Sequence, residues 1–132
     1  MIDQSTIEAK EGYLIVTARG DRNDFQSVIE GTKMVNEAAR IHKVKYVLAD
    51  YRFMKFNVPL ADAFNLVKMY EQKLPVFSEI VISAVTNKDN MEIAKFWESI
   101  CVRRGFQYKV FTQFENAENW LRDLIRQDTL SS

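Results

Sequence analysis

The hydrophobic positions of this chain follow two spacings, every second residue or every third to fourth, and the changeovers divide it into strands and helices. Residues 6–9 and 13–18 read as short strands, and Gly12 closes the connection between them, as a hairpin needing one positive-φ residue requires. Leu14, Ile15 and Val16 are apolar without alternation, which places the second strand in the sheet interior. Phe25, Val28, Ile29, Thr32, Val35, Ala38 and Ala39 then recur at helical spacing, with Asp21 or Asn23 as the expected cap and His42 and Lys43 at the helix end. Residues 46–50 read as a buried strand that ends on Asp50. Pro59 predicts a helix start near Leu60, with Leu60, Ala63, Phe64, Val67, Tyr70 and Leu74 in one stripe and Pro75 as the stop. Residues 80–85 form the next strand. Asp89 and Glu92 have the spacing of a capping box before a helix carrying Ile93, Phe96, Trp97, Ile100 and Cys101, and Gly105 ends that helix. A last strand at 108–111 precedes Thr112 and Glu115, a full capping box, and a helix lined by Ala117, Trp120, Leu121, Leu124 and Ile125.

The order β-β-α-β-α-β-α-β-α predicts an α/β fold with parallel strands joined by right-handed crossovers, and one antiparallel strand from the opening hairpin. The expected core contains Leu14, Val16, Val47, Leu48, Phe64, Val81, Trp97 and Leu121. With 132 residues, no linker and no repeat, residues 1–126 are expected to form a single domain, with 127–132 as a polar flexible tail. At 47% hydrophobic and 27% charged, such a chain folds without disulfide or metal support.

Charge and cysteine content narrow the function classes. Lys+Arg and Asp+Glu are both 18, so no long-range field favours nucleic acid or an anionic membrane, and no nucleic-acid partner is expected. The most apolar run, 80–85, is far too short to cross a bilayer, and the first residues lack a signal-peptide core; a cytoplasmic protein without integral membrane association is expected. Cys101 is the one cysteine and lies on an apolar helix face, the setting of a buried, inert thiol.

The strand Tyr46, Val47, Leu48, Ala49, Asp50, and the text F-x-x-A-x-x-W-L formed by Phe114, Ala117, Trp120 and Leu121 after the last strand, carry a resemblance. With the element order and size, they make residues 5–126 similar to the SpoIIAA-like group, which includes the STAS domains of anti-sigma-factor antagonists and STAS/SEC14-type domains. The resemblance implies a five-stranded mixed sheet with four parallel strands and a protein-binding habit. In phosphorylatable STAS antagonists, a strand ending in Asp leads to a D-S-S-G-like turn whose serine accepts phosphate. Asp50 matches the strand-end acid, but residues 51–60 contain no Ser, Thr or Gly, so no residue here inherits the phosphoacceptor role.

The residues themselves offer little chemistry. His42, the one histidine, falls at a helix end on the amino-terminal side of the sheet, where interaction with the helix dipole accounts for it. There is no nucleophile elbow, Walker loop or dinucleotide fingerprint, and no His/Cys set or EF-hand spacing, so no catalytic residue, cofactor or metal is expected. Ligands of parallel α/β sheets bind at the carboxyl ends of the strands. Asp21, Asp50 and Lys88 are placed there, and the plain reading makes them caps and solvated rim residues.

The segment 51–59 is the unusual one. Read as a loop, it carries Tyr51, Phe53, Met54, Phe56 and Val58 among the cations Arg52 and Lys55. An apolar loop either folds onto its own domain or contacts a partner. The working expectation is a non-enzymatic interaction or regulatory domain. It binds a protein partner or a second copy through Arg52, Phe53, Met54, Lys55 and Phe56 and the following helix. The alternative is a small-ligand-binding or weakly catalytic protein using Asp21, Asp50 and Lys88.

Overall fold

The computed structural model describes residues 4–62, 64, 65, 68 and 79–131. Five strands form one sheet in the order β1-β2-β3-β4-β5: β1 (Gln4–Lys10), β2 (Tyr13–Arg22), β3 (Tyr46–Phe56), β4 (Val81–Val85) and β5 (Gln107–Phe111). β1 is antiparallel to β2 through a turn at Glu11 and Gly12, where Gly12 takes φ 88°. The remaining neighbours are parallel, so the sheet is five-stranded and mixed, as the element order predicts.

Each parallel connection steps one strand in the same direction. Right-handed crossovers therefore deliver every crossover helix to one face of the sheet. α1 (Phe25–His42) and α2 (Met91–Arg103) lie there, packing Val35, Ala39, Ile100 and Cys101 onto Val16, Val47, Ala49, Ile82, Ala84 and Val110. Among the described helices, α3 (Phe114–Ser131), which follows the last strand, covers the other face. It packs Ala117 and Leu121 onto Tyr13, Ile15, Tyr46, Leu48, Val81 and Val85. Ser83 fits this seam by donating its hydroxyl to the Ala117 carbonyl at 2.8 Å.

Local chemistry explains the helix ends. Asp24, rather than Asp21 or Asn23, caps α1: its carboxylate accepts the Ser27 N–H at 2.8 Å. Asp21 is still inside β2, which runs four residues beyond the predicted 13–18. α1 ends with Lys43 in the left-handed region at φ 56°, its N–H returning to the Ala39 and Arg40 carbonyls. Before α2, Asn87 caps a 3-10 turn over Lys88–Asn90 by accepting the Asn90 N–H, so the Asp89–Glu92 spacing does not make the cap. α3 continues through 127–131, so the segment expected as a tail is helical there.

The core is close to expectation. Leu14, Val16, Val47, Leu48, Val81 and Leu121 are buried, while Trp97 is half-buried. Phe64 departs from it at 38% exposed. Its ring lies under the ammonium of Lys68 at 4.6 Å and the guanidinium of Arg104 at 5.5 Å, a covering of cations in place of apolar packing. Residues 60–62, 64, 65 and 68 are helical; Ala63, Val67, Tyr70, Leu74 and Pro75 lie outside the described residues, as do the side chains of Phe25, Val28, Ile29 and Thr32. Among the described residues, no helix is long and apolar enough to cross a membrane, and no cluster of His, Cys, Asp or Glu could hold a metal ion.

Candidate interaction surface at the carboxyl end of β3

The segment 51–56 is not a loop. It continues β3 to Phe56 beside β2, pairing Phe53 with Arg19, Met54 with Gly20, Lys55 with Asp21 and Phe56 with Arg22. Tyr, Phe and Met suit a strand, and Asp50 does not end it. Between Thr17 and Arg19 the register shifts: β3 advances from Asp50 to Phe53 while β2 advances from Thr17 to Arg19. The extra β3 residue is a bulge, and it exchanges which side chains face which side. Beyond it, Met54 and Phe56 turn toward α1 and α2, and Phe53 and Lys55 toward the face of α3.

β4 stops at Val85, opposite Asp50, so the continued β3 has no strand neighbour on that side. Two asparagines take the place of one. Asn90, itself buried, donates its amide to the Met54 carbonyl at 2.8 Å and accepts the Phe56 N–H at 3.3 Å. Asn87 donates to the Arg52 carbonyl at 2.9 Å. These side chains satisfy backbone groups that would otherwise be left unpaired beside a partly buried strand.

On the α1 face, Arg22 is buried with its guanidinium 5.3 Å from the Tyr51 ring centroid and 5.5 Å from that of Phe56. The two rings meet edge to face at 5.4 Å. Gly31 on α1 lies directly against the guanidinium, where any side chain would collide with it. A glycine inside a helix, normally unfavourable, here gives the cation its space.

On the α3 face, Asp50 is buried and held by Arg52. The guanidinium donates through Nε to Oδ1 at 2.9 Å and through Nη2 to Oδ2 at 2.8 Å, and the Arg52 backbone N–H also donates to Oδ1 at 3.1 Å. The hydrogen bond to Asp50 raises the Arg52 pKa further above its ordinary value. The same guanidinium lies 5.2 Å from the Phe114 ring and 5.4 Å from that of Phe53. Arg19 approaches the Phe53 ring at 5.3 Å. Phe53 is nevertheless 55% exposed, because α3 begins at Phe114 and runs away from this end of the sheet.

The structure therefore sorts the expected contact residues. Arg52, Phe53 and Lys55 are exposed, Phe56 is half-buried, and Met54 is 1% exposed and belongs to the core. Phe53 and Phe64 do not form one patch: Phe64 sits with Arg104 of the opposite face. The rim residues are also divided. Asp21 lines a shallow depression of about 520 Å³ with Arg19, Phe53, Lys55 and Asp89, but Asp50 lies beneath Arg52 and Lys88 is outside that lining. Asp21, Asp50 and Lys88 thus do not converge. His42 is exposed at the far edge of the sheet. Cys101 is buried, and burial pushes its thiol pKa up to about 12.

Sequence reasoning put Arg19, Arg22 and Asn87 at the strand-end rim and Asn90 in the capping segment without finding their roles here, and it did not single out Gly31. The available signals were the alternation of apolar and cationic residues through 51–56, and two asparagines three apart just after a strand.

Comparison with known structures agrees with this architecture. An anti-sigma factor antagonist from Mycobacterium paratuberculosis superposes with a TM-score of 0.61 at 12% identity, covering 92% of this chain and 95% of that one. A DUF3478-family protein with a SpoIIAA-like fold from Shewanella loihica PV-4 superposes with a TM-score of 0.56 at 18% identity, covering 90% and 93%. The fold is SpoIIAA-like, that of the STAS domains. The anti-sigma factor antagonist SpoIIAA in its unphosphorylated form gives 0.50 at 12% identity over 90% and 98% of the two chains. The sequence matches no protein-family model and no curated protein. In this SpoIIAA-like domain, the position after Asp50 is a continued strand pinned by Asn87 and Asn90.

Proposed function

We propose that this SpoIIAA-like domain is a non-enzymatic regulatory module that binds a protein partner through the exposed end of β3. The observation that carries the reading is Phe53, a large aromatic left in solvent on a strand and flanked by the guanidiniums of Arg19 and Arg52. An aromatic and an arginine together are what the centre of a protein interface is enriched in. The strand fixes both side chains before binding, and Asp50 holds Arg52 in place, so little conformational freedom is left to lose. Lys55, exposed beside them, adds a rim charge that sets orientation and approach rate. Similar folds include anti-sigma factor antagonists, a class defined by acting on other proteins. Phosphate control at this position is no part of the reading, since Tyr51 supplies the one hydroxyl in 51–60 and stacks beneath Arg22.

The test is a pull-down from the native host with wild-type chain and with Phe53→Ser. A partner retained by the first and lost by the second, at unchanged thermal stability, supports the reading. Equal retention by both rejects this surface. The depression beside Asp21 supports a small-ligand role less well, because its two companion residues, Asp50 and Lys88, are placed elsewhere.

A further inference from the structure

The two edges of the sheet are finished differently. At β5, the Glu98 carboxylate of α2 accepts the Val110 N–H at 2.6 Å, closing part of the outer edge. At β1, no described hydrogen bond reaches the side turned away from β2. Residues 5–10 are exposed throughout, since α1 and α2 pack on β2 to β5 and α3 covers the other face only as far as β2. Ile7, the largest apolar residue of β1, is 44% exposed on the side of α1. An uncovered edge of this kind is a template for another strand.

We propose that β1 is a homodimer edge, pairing antiparallel with β1 of a second copy about a two-fold axis at Ile7. The sequence of the strand selects this occupant and register. With Ile7 opposite Ile7, Ser5 faces Ala9 and Thr6 faces Glu8, while Lys10 falls opposite position 4. No like charges stand directly across from each other, and Glu8 is already neutralised by Lys10 of its own strand at 2.9 Å. The paired isoleucines cover each other, flanked by the small residues Ser5 and Ala9. Moving the axis to Glu8 would set two carboxylates face to face, which is unfavourable. A two-fold contact uses the same patch on both copies, and β1 is self-complementary in that sense. The contact is a single short strand, so it is of the weak, transient size class and becomes populated at high protein concentration.

Site-directed cross-linking of the full chain tests this. Cys101 is buried, so an introduced thiol is the reactive one. Ile7→Cys should form a covalent dimer under mild oxidation as the principal product, because the two thiols meet on the axis. Ser5→Cys, opposite Ala9, should remain largely monomeric. Wild-type chain should gain mass with concentration in sedimentation equilibrium, and Ile7→Lys should lose that gain. A 1:1 mixture of Ile7→Lys and Ile7→Glu should recover it. Circular dichroism of each variant checks the fold, which an exposed position should leave intact. Wild-type chain that stays monomeric, or Ser5→Cys that cross-links as readily as Ile7→Cys, overturns the proposal. So does β1 amide protection that arises only when another protein is added, which would assign the edge to a foreign strand.

Discussion

At the scale of residues, neighbours in sequence have opposite roles. Phe53 and Met54 are adjacent, but only Met54 is buried. Met54→Ala should cost about 2–4 kcal/mol in urea unfolding, the range for truncating a buried apolar side chain. Phe53→Ser should change stability by less than about 1 kcal/mol. Equal losses at both would mean that Phe53 is packed. Cys101 gives a pH prediction. Burial raises its folded pKa to about 12 from an ordinary 9.0, so the folded state favours the neutral thiol. The stability this contributes is complete below pH 9 and is lost as pH rises toward 12. Tyr13, whose pKa is raised by burial and by its hydrogen bond to Glu118, adds in the same direction. Alkaline destabilisation should therefore be reduced in Cys101→Val, measured as a flatter fall of Tm above pH 9.

At the scale of elements, β3 depends on its substitutes for a neighbouring strand. Asn90→Ala would leave the Phe56 N–H without its side-chain partner and the Met54 carbonyl with only the longer Asn87 contact at 3.5 Å. The expected cost is about 1–3 kcal/mol, with faster amide exchange at Phe56 than in the wild type. Unchanged exchange there would show that the asparagine does not hold the strand. Arg52→Ala should weaken the same element more than a surface ion pair would. It strips the buried Asp50 carboxylate of its bidentate donor. Most elements were legible because core-facing positions kept one period: 46–50, 80–85 and the helix before Gly105 all lie close to where their spacing predicts. The end of β3 was not, because the acid at Asp50 and the turn signal at Pro59 bracket a segment whose strand character depends on a bulge and on Asn87 and Asn90, far along the chain.

At the scale of the molecule, the one-directional strand order leaves α3 alone on its face among the described helices, and both proposed contact surfaces follow from that. Phe53 is exposed where α3 does not reach, and β1 lies beyond α1, α2 and α3. The two surfaces should be separable. Ile7→Lys should abolish self-association and leave partner capture unchanged, and Phe53→Ser should do the reverse. If either substitution removed both, the two surfaces would be one interface. Both substitutions can be made in a stable scaffold, since neither touches the strand interior. Leu48→Ala, in the middle of the sheet, should cost about 2–4 kcal/mol.

The sequence by itself determined the class of fold, the order of its strands and helices, the central core and the lack of a recognisable catalytic motif. These rest on period, capping and composition, which act within a few residues or over the whole chain. The tertiary structure decided which face each side chain of 51–56 occupies, that Asp50 is bound by Arg52 instead of joining Asp21 and Lys88, and which sheet edge is open. Those outcomes depend on a register shift between β2 and β3 and on contacts between residues more than thirty positions apart, such as Asn90 with Met54. A one-residue slip reverses every side chain beyond it, and no local pattern in the sequence records where that slip occurs.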